Sequence, residues 1–159
     1  MIGLGFFEKP YPIHIPLKFG PSITMITEDT IVSHLSMKIP AGTFSVYREQ
    51  SNHGLLTRVE PANPKATAMA LRTNGSSTCN ILFGRAFSLE LELDDDHLLL
   101  KLVDAVRNGN LVEKIWIVSG RMTYTKSAIH LSDRMAVTRS GIPFLYPPFW
   151  RKTYHYESY

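Results

Sequence analysis

Four consecutive side chains, Asp94, Asp95, Asp96 and His97, are of types that bind metal ions or exchange protons. Carboxylate oxygens and imidazole nitrogens are common ligands of divalent metals, so the run could be a metal site. However, consecutive residues at a helix start point in different directions, and the spacing matches neither an H-x-x-x-H pair nor a calcium-binding loop. The run is better explained as the start of a helix, and we expect no metal ion and no other cofactor.

The other residues that could act in catalysis have simpler structural explanations. Cys79 precedes an apolar strand and is expected to be a small core residue; as the only cysteine it also favours a reducing compartment. Glu90 and Glu92 have the spacing of a carboxylate pair, but this spacing is also typical of the wet face of an amphipathic strand. We therefore expect that the protein is not an enzyme and has no small-molecule substrate, unless the fold gathers several of the six histidines into one pocket.

The positive charge of the chain is concentrated in its later part. Residues 1–97 carry 8 Lys and Arg against 10 Asp and Glu, a balance of −2, whereas residues 98–159 carry 9 against 4, a balance of +5. The candidate residues for binding RNA, other phosphates or lipid headgroups are Lys101, Arg107, Lys114, Arg121, Lys126, Arg134 and Arg139. Trp116 and Tyr124 lie among them and offer rings for stacking. The alternative, separate solvated charges with no dedicated partner, also fits the sequence.

Residues 142–159 combine many aromatic side chains with prolines. So much aromatic area in an irregular segment is costly to leave in water, so this tail should dock on its own domain, on a neighbouring subunit or at a membrane interface. The candidate membrane or subunit contacts are Phe149, Trp150, Arg151 and Lys152. We expect a single domain over residues 1–159, with a proline-rich arm at 1–21 and the aromatic tail at 142–159.

Short strands must position most of these residues, because apolar and polar side chains alternate along much of the chain. The clearest alternation covers residues 86–93. Strands are also predicted at residues 22–27, 31–39, 42–48, 66–73 and 79–84, with a hairpin of 113–120 and 121–126 around Ser119-Gly120. The expected fold is α+β and β-rich, an antiparallel sheet or sandwich with two short helices.

Two segments have a helical period instead. After Asp94, the residues Leu99, Leu102, Val103 and Val106 recur at i, i+3, i+4 and i+7. Asp94 or Asp95 can cap that helix, and Asn108-Gly109 can end it in a left-handed conformation. The second helix is predicted over residues 127–141, with Ser127 as its cap, Ala128, Leu131 and Met135 as its apolar face, and Gly141 as its stop.

Three segments, taken in order, resemble the matrix proteins of bornaviruses: "LSMKIPAGTFSV" (35–46), "TRVEPANP" (57–64) and "DDHLLLKL" (95–102). A thinner similarity continues through "SAIHLSDRM" to "GIPFLYPP". The resemblance implies a small β-rich domain like the N-terminal domain of matrix proteins of other non-segmented negative-strand RNA viruses. It also implies a homo-oligomer, namely a tetramer, that binds single-stranded RNA or ribonucleoprotein and an anionic membrane surface.

The leading hypothesis is therefore a non-enzymatic viral matrix protein of the virion and of the host cytoplasm, at the inner face of a membrane. The choice of the basic residues as candidates depends on charge distribution alone, because no individual RNA-contacting residue is carried over from the family. The alternative is a protein-interaction adaptor that uses a sheet edge and the aromatic tail to hold its partner.

Overall fold

Strands dominate the architecture, as the alternating sequence requires. The computed structural model of the chain describes residues 25–141 and 150–159. In chain order the elements are α1 (Thr30–Lys38), β1 (Phe44–Ser51), β2 (Gly54–Pro61), β3 (Met69–Thr73), β4 (Thr78–Phe83), β5 (Phe87–Glu92), α2 (Asp96–Arg107), β6 (Leu111–Val118), β7 (Arg121–His130), β8 (Met135–Gly141) and β9 (Arg151–His155). Over these described residues, two antiparallel sheets and two helices make an α+β, β-rich fold.

The larger sheet contains five strands in the order β1-β2-β3-β4-β5, so every strand pairs with its neighbour in sequence. Its inner face is apolar. One row across four adjacent strands places Val59, Met69, Phe83 and Phe87 opposite one another, and each of the four is at most 1% exposed. Fully burying such a side chain contributes about 1.5–3 kcal/mol, so these rows account for much of the cohesion of the fold.

The smaller sheet contains four strands in the order β8-β7-β6-β9. β6 and β7 form the hairpin predicted around Ser119-Gly120, with a register shift between Trp116 and Ile117. β8 continues the sheet beside β7, and β9 pairs with the other side of β6. The tail was expected to be irregular, but β9 makes residues 151–155 an edge strand of the domain.

Both helices bury apolar faces in a core that they share with the sheets. From α2, the predicted stripe of Leu99, Leu102, Val103 and Val106 is fully buried. The same hydrophobic cluster includes Ile31 and Leu35 of α1, the inner rows of the larger sheet, and Leu111 and Ile129 of the smaller sheet. α2 ends as predicted, since Gly109 has φ +79° and a Cβ there would lie 2.8 Å from the carbonyl oxygen of Tyr156.

Two strand predictions near the start of the described chain are wrong. Residues 31–39 form α1 and not a strand, because a spacing of four places Ile31 and Leu35 on one face in either conformation. Met37, which a strand would bury with them, is 78% exposed. The strand predicted at 22–27 falls partly outside the described residues, and its described part, 25–27, has no strand structure.

The helix predicted over residues 127–141 is also wrong. This stretch forms the last part of β7, a turn and β8. Ser127 and Ile129 are buried by strand alternation, and Met135, expected on the buried helix face, lies opposite His130 in the ladder and is 51% exposed. Pairing with β6 therefore overrides a weak helical period.

Candidate phosphate-binding face

Alternation divides the smaller sheet into an inner and an outer face. In β6, Leu111, Glu113 and Ile115 are buried, and the residues between them are partly exposed. Because directly opposed residues of antiparallel strands share a face, the partners of Lys114 across the sheet must also point outward. We call this outer surface the basic face, after the four cationic residues that it carries: Lys114, Lys126, Arg139 and Arg151.

Three of these cations form one row across adjacent strands. Lys114 of β6 lies opposite Lys126 of β7, and Lys126 lies opposite Arg139 of β8. On its other side, Lys114 lies opposite Thr153 of β9. Like charges that face each other directly across a ladder destabilise a sheet, so two such contacts in succession oppose folding.

Arg151 and the partly exposed Trp116 continue the basic face at one end of this row, and the neighbouring Tyr124 is buried. Trp116 lies opposite both Tyr124 and Arg151 in the ladder. The ring centroids of Trp116 and Tyr124 are 4.9 Å apart, and the guanidinium carbon of Arg151 is 5.9 Å from the centroid of Trp116. A partly exposed indole beside cations is a surface on which a base or another flat group can stack.

The strands place no acidic residue on the described part of the basic face. Glu113, the carboxylate within these strands, belongs to the inner face and is fully buried. Across residues 25–141 and 150–159, none of the four cations has a carboxylate oxygen within 4.0 Å. The face therefore presents a charge of +4 without internal compensation, and His130 and His155 lie at its far end.

The structure does not place the other four predicted cations in this row. Lys101 and Arg107 lie on α2, and Arg107 is turned back towards Asp104, with its Nε 3.6 Å from a carboxylate oxygen. Arg121 begins β7 opposite Val118, beyond the register shift between Trp116 and Ile117, and Arg134 lies in the turn before β8. The row thus contains three of the seven residues predicted to form a single surface, and strand register accounts for the selection.

The predicted membrane or subunit contacts separate in a similar way. Phe149 lies outside the described residues, and Trp150 is 39% exposed. Arg151 belongs to the basic face, whereas Lys152 lies opposite Ile115 and points to the other side of β9. Arg151 is therefore the member of this set that the ladder of the described strands places on the basic face.

The last residues dock on their own domain through polar contacts. The Tyr159 hydroxyl donates to the carbonyl oxygen of Thr67 at 2.7 Å, and the Tyr159 amide donates to that of Arg107 at 3.0 Å. The Lys65 Nζ forms an ion pair with Oε1 of Glu157 at 3.1 Å. Of the three docking modes considered for the tail, docking on its own domain is the one seen for these residues.

Sequence reasoning missed the buried carboxylate of Glu113. Its Oε1 accepts hydrogen bonds from the amides of Ala86 and Phe87 at 2.7 and 3.1 Å and from the Ser127 hydroxyl at 3.2 Å. Its Oε2 accepts from the Arg85 amide at 3.0 Å and from the Tyr156 hydroxyl at 2.5 Å. Five donors thus satisfy one carboxylate that joins the β4–β5 turn, the smaller sheet and the last residues.

This network also perturbs the tyrosine in it. Burial and the hydrogen bond to Glu113 raise the pKa of Tyr156 above its usual range. The only sequence signal for Glu113 was an acidic residue at an inward position of an otherwise apolar strand.

The run from Asp94 to His97 forms the start of α2, as predicted. Asp95 occupies the N-cap position without a side-chain cap hydrogen bond, and Asp96 lies in the first turn. Burial raises the pKa of Asp95, and the neighbouring carboxylates of Asp94 and Asp96 act in the same direction. Within the described residues, no group of three or more His, Cys, Asp or Glu side chains could hold a metal ion.

Cys79 is a core residue, as predicted. It is fully buried, and burial, with a smaller contribution from Glu90, raises its pKa to about 11, so the thiol stays protonated near neutral pH.

A pocket of about 300 Å³ lies between the β4–β5 turn and β7. Its one charged lining residue is Arg85, whose guanidinium lies 4.6 Å from the ring centroid of Tyr154.

Across the described chain, neither helix has the length and apolar character needed to cross a bilayer.

No protein-family model, curated protein or solved structure was found to match this chain. The candidate site therefore rests on the geometry described above.

Proposed function

We propose that this protein is a viral matrix protein, a non-enzymatic and self-assembling structural protein that bridges the inner membrane surface and the ribonucleoprotein. In this proposal the basic face contacts phosphates. The observation that carries it is the row of Lys114, Lys126 and Arg139 on three adjacent strands, with no carboxylate on the described part of that face. The ordered resemblance of three segments to bornavirus matrix proteins supports the same assignment.

The physical argument is that an uncompensated cationic row needs an external countercharge. Each like-charge contact costs a few tenths of a kcal/mol, and a bound polyanion removes this cost while releasing its own counterions. Four cations on one subunit form a weak site by themselves. Repetition of that site in an oligomer raises the effective concentration of phosphate at each face, so assembly and binding strengthen one another.

The test measures the affinity of the protein for a fluorescent oligouridylate across salt concentrations. Four phosphate contacts on a single strand predict a slope of log K against log salt of about −3. The double variant Lys114→Glu with Lys126→Glu should weaken binding about 50-fold at low salt and flatten this slope. An affinity that changes little with salt would contradict a phosphate-driven contact.

A matched control reverses two charges on the outer face of the other sheet. Arg58→Glu with Arg72→Glu makes the same change in net charge, and Arg58 and Arg72 are both exposed in the larger sheet. We expect this variant to bind within about twofold of the unmodified protein after the change in net charge is allowed for. Equal losses in the two double variants would show that net charge alone, and not the basic face, determines binding.

The two other parts of the proposal need separate measurements. Sedimentation on vesicles that contain phosphatidylserine tests the membrane contact, and light scattering over a range of protein concentrations tests self-assembly. A strict monomer at high concentration would argue against a matrix protein even if RNA binds.

The alternative of a protein-interaction adaptor predicts a different result. Binding to its partner would depend on apolar contacts, would be insensitive to salt and would fall on Trp150→Ala, since Trp150 is 39% exposed. Deletion of residues 142–159 is a poor test of this alternative because it also removes β9 and the Tyr156 contact to Glu113.

A further inference from the structure

Thr153 completes the row that contains the three cations. It lies directly opposite Lys114, so the order across the sheet is Arg139, Lys126, Lys114, Thr153. Thr153 is exposed. Arg151, two residues earlier on the same strand, points to the same face. The hydroxyl of Thr153 therefore lies on the basic face with Lys114 and Arg151 as its nearest cationic neighbours.

Among the described strand residues of the basic face, Thr153 is the only one with an aliphatic hydroxyl. The other serines and threonines of these strands, such as Thr125, Ser127 and Thr138, alternate to the inner face. Ser127 is fully buried and bonded to Glu113, so it is closed to modification.

We infer that Thr153 is a phosphorylation site that switches the basic face off; this inference rests on the proposed phosphate-binding role of that face. The reaction requires ATP and a serine/threonine kinase that prefers basic substrates. The Thr153 Oγ1 forms a bond to the γ-phosphorus, and the bond from that phosphorus to the β–γ bridging oxygen breaks. ADP leaves, and the hydroxyl proton passes to the catalytic base of the kinase.

The surroundings of Thr153 suit such a kinase. Protein kinases act on extended segments, and β9 is an extended strand at the edge of its sheet. Arg151 and Lys152 immediately precede the hydroxyl, so a kinase with an acidic substrate groove has two cations to recognise. Neither Lys152 nor Arg151 is paired with a described carboxylate within 4.0 Å.

A phosphate on Thr153 would act as an internal substitute for the ligand. It carries about −2 charge at neutral pH and three acceptor oxygens, and would engage Lys114 and Arg151 directly. The charge of the basic face would fall from +4 to about +2. An external phosphate chain then loses both attraction and two of its contact residues.

The experiment compares unmodified protein with protein treated with ATP and the catalytic subunit of a cyclic-AMP-dependent kinase. Mass spectrometry locates the phosphate, and the same labelled oligouridylate measures binding. We expect modification at Thr153, a loss of affinity of about 30-fold at low salt, and a salt slope that is shallower by about 1.4. Thr153→Ala should show the same affinity before and after the same treatment.

Two further variants keep the result independent of the kinase. Thr153→Glu should weaken binding about fivefold, since it adds one charge where phosphate adds about two. Ser88→Glu adds the same charge to an exposed position on the outer face of the larger sheet and should leave affinity within about twofold.

The outcomes separate this inference from the proposed function. If the unmodified protein binds but Thr153 is not phosphorylated, or if its phosphorylation leaves affinity and slope unchanged, the switch is wrong and the basic face stands. If the unmodified protein fails to bind the oligouridylate and anionic vesicles, the proposed function fails, and the switch is overturned with it.

Discussion

The outer faces of the two sheets treat charge in opposite ways. The larger sheet mixes signs: Glu49, Glu60, Glu90 and Glu92 point outward together with Arg58 and Arg72. Arg58 and Glu60 form an ion pair at 2.7 Å. The described part of the smaller sheet presents four cations and no acid. The outer face of the larger sheet thus carries four acids and two cations, a balance of −2, whereas the described part of the smaller sheet carries cations without an acid.

The inner faces differ in the reverse sense. The larger sheet packs apolar rows into the core, whereas the smaller sheet has Glu113, Thr125 and Ser127 buried between its strands. Hydrophobic burial therefore supports the first sheet, and a polar network supports the second. The basic face thus belongs to the sheet with fewer buried apolar side chains, and the interior of that sheet contains the hydrogen-bonded network of Glu113.

The largest expected effect comes from removing the charge of Glu113 without changing its shape. In Glu113→Gln an amide NH₂ would replace one oxygen and point its hydrogens at amide and hydroxyl donors. At least two donors would lose their acceptor, so we expect the free energy of unfolding to fall by about 3 kcal/mol. Urea denaturation followed by circular dichroism measures the loss.

The matched control makes the same substitution on the outer face of the larger sheet. Glu90 is exposed and accepts one hydrogen bond, from the Thr78 hydroxyl at 2.7 Å. Glu90→Gln should change stability by no more than about 0.5 kcal/mol. If the two variants lose the same amount, the polar network does not support the smaller sheet, and the contrast between the inner faces disappears.

Much of the fold was predictable because its signals are local. Alternation over residues 86–93 and the helical stripe after Asp94 each need only a short window of sequence, and both are confirmed. The strand predicted over residues 31–39 is wrong for a physical reason: the two buried positions, Ile31 and Leu35, fit a helix and a strand equally. Exposure of Met37, which depends on the tertiary fold, decides between them.

The candidate site was predictable only in part, because the pairing register between strands is not determined by the local sequence. Charge distribution identified the basic part of the chain, but only the ladder shows that Lys114, Lys126 and Arg139 share a row. The misassigned helix over 127–141 would have placed Arg139 on a different element. Glu113 was missed because its partners come from residues 26 to 43 positions away as well as from Ser127.

A smaller effect is expected from the compensated charges between the helices. Asp104 of α2 accepts hydrogen bonds from Lys38 at 2.5 Å and from His34 at 3.0 Å. Burial alone would raise the pKa of Asp104, but these two partners outweigh it, so the pKa lies below its usual range. Asp104→Asn should cost about 1 kcal/mol near neutral pH, a modest value because the group is partly solvated.

The sign of the pH dependence follows from this lowered pKa. The contribution of Asp104 is fully present above the pKa of the unfolded chain, about 3.9, and is lost as the pH falls through the lower pKa of the folded state. The free energies of unfolding of the unmodified protein and of Asp104→Asn, measured at about pH 7, 5, 4 and 3, should converge as the pH falls. A gap that stays constant down to the lowest pH would mean that the carboxylate contributes by packing and not by its charge.

The smallest expected effect tests directly whether the cationic row costs stability. Lys126 lies between Lys114 and Arg139, so Lys126→Thr removes two like-charge contacts and introduces a residue that favours strands. We expect the free energy of unfolding to rise by about 0.5 kcal/mol at low salt, and the gain to vanish near 1 M salt, where the screening length is about 3 Å. Affinity for the oligouridylate should fall in the same variant.

Arg72→Thr provides the comparison on the larger sheet, because Arg72 lies opposite Leu56 and Asn80 and faces no like charge. Its stability should not increase at low salt, and its affinity for the oligouridylate should stay within about twofold of the unmodified protein. A gain in stability together with a loss of binding, confined to Lys126→Thr, would show that the smaller sheet exchanges stability for an external countercharge. If both substitutions change stability alike, the row carries no energetic cost, and the main reason for reading the basic face as a binding surface is removed.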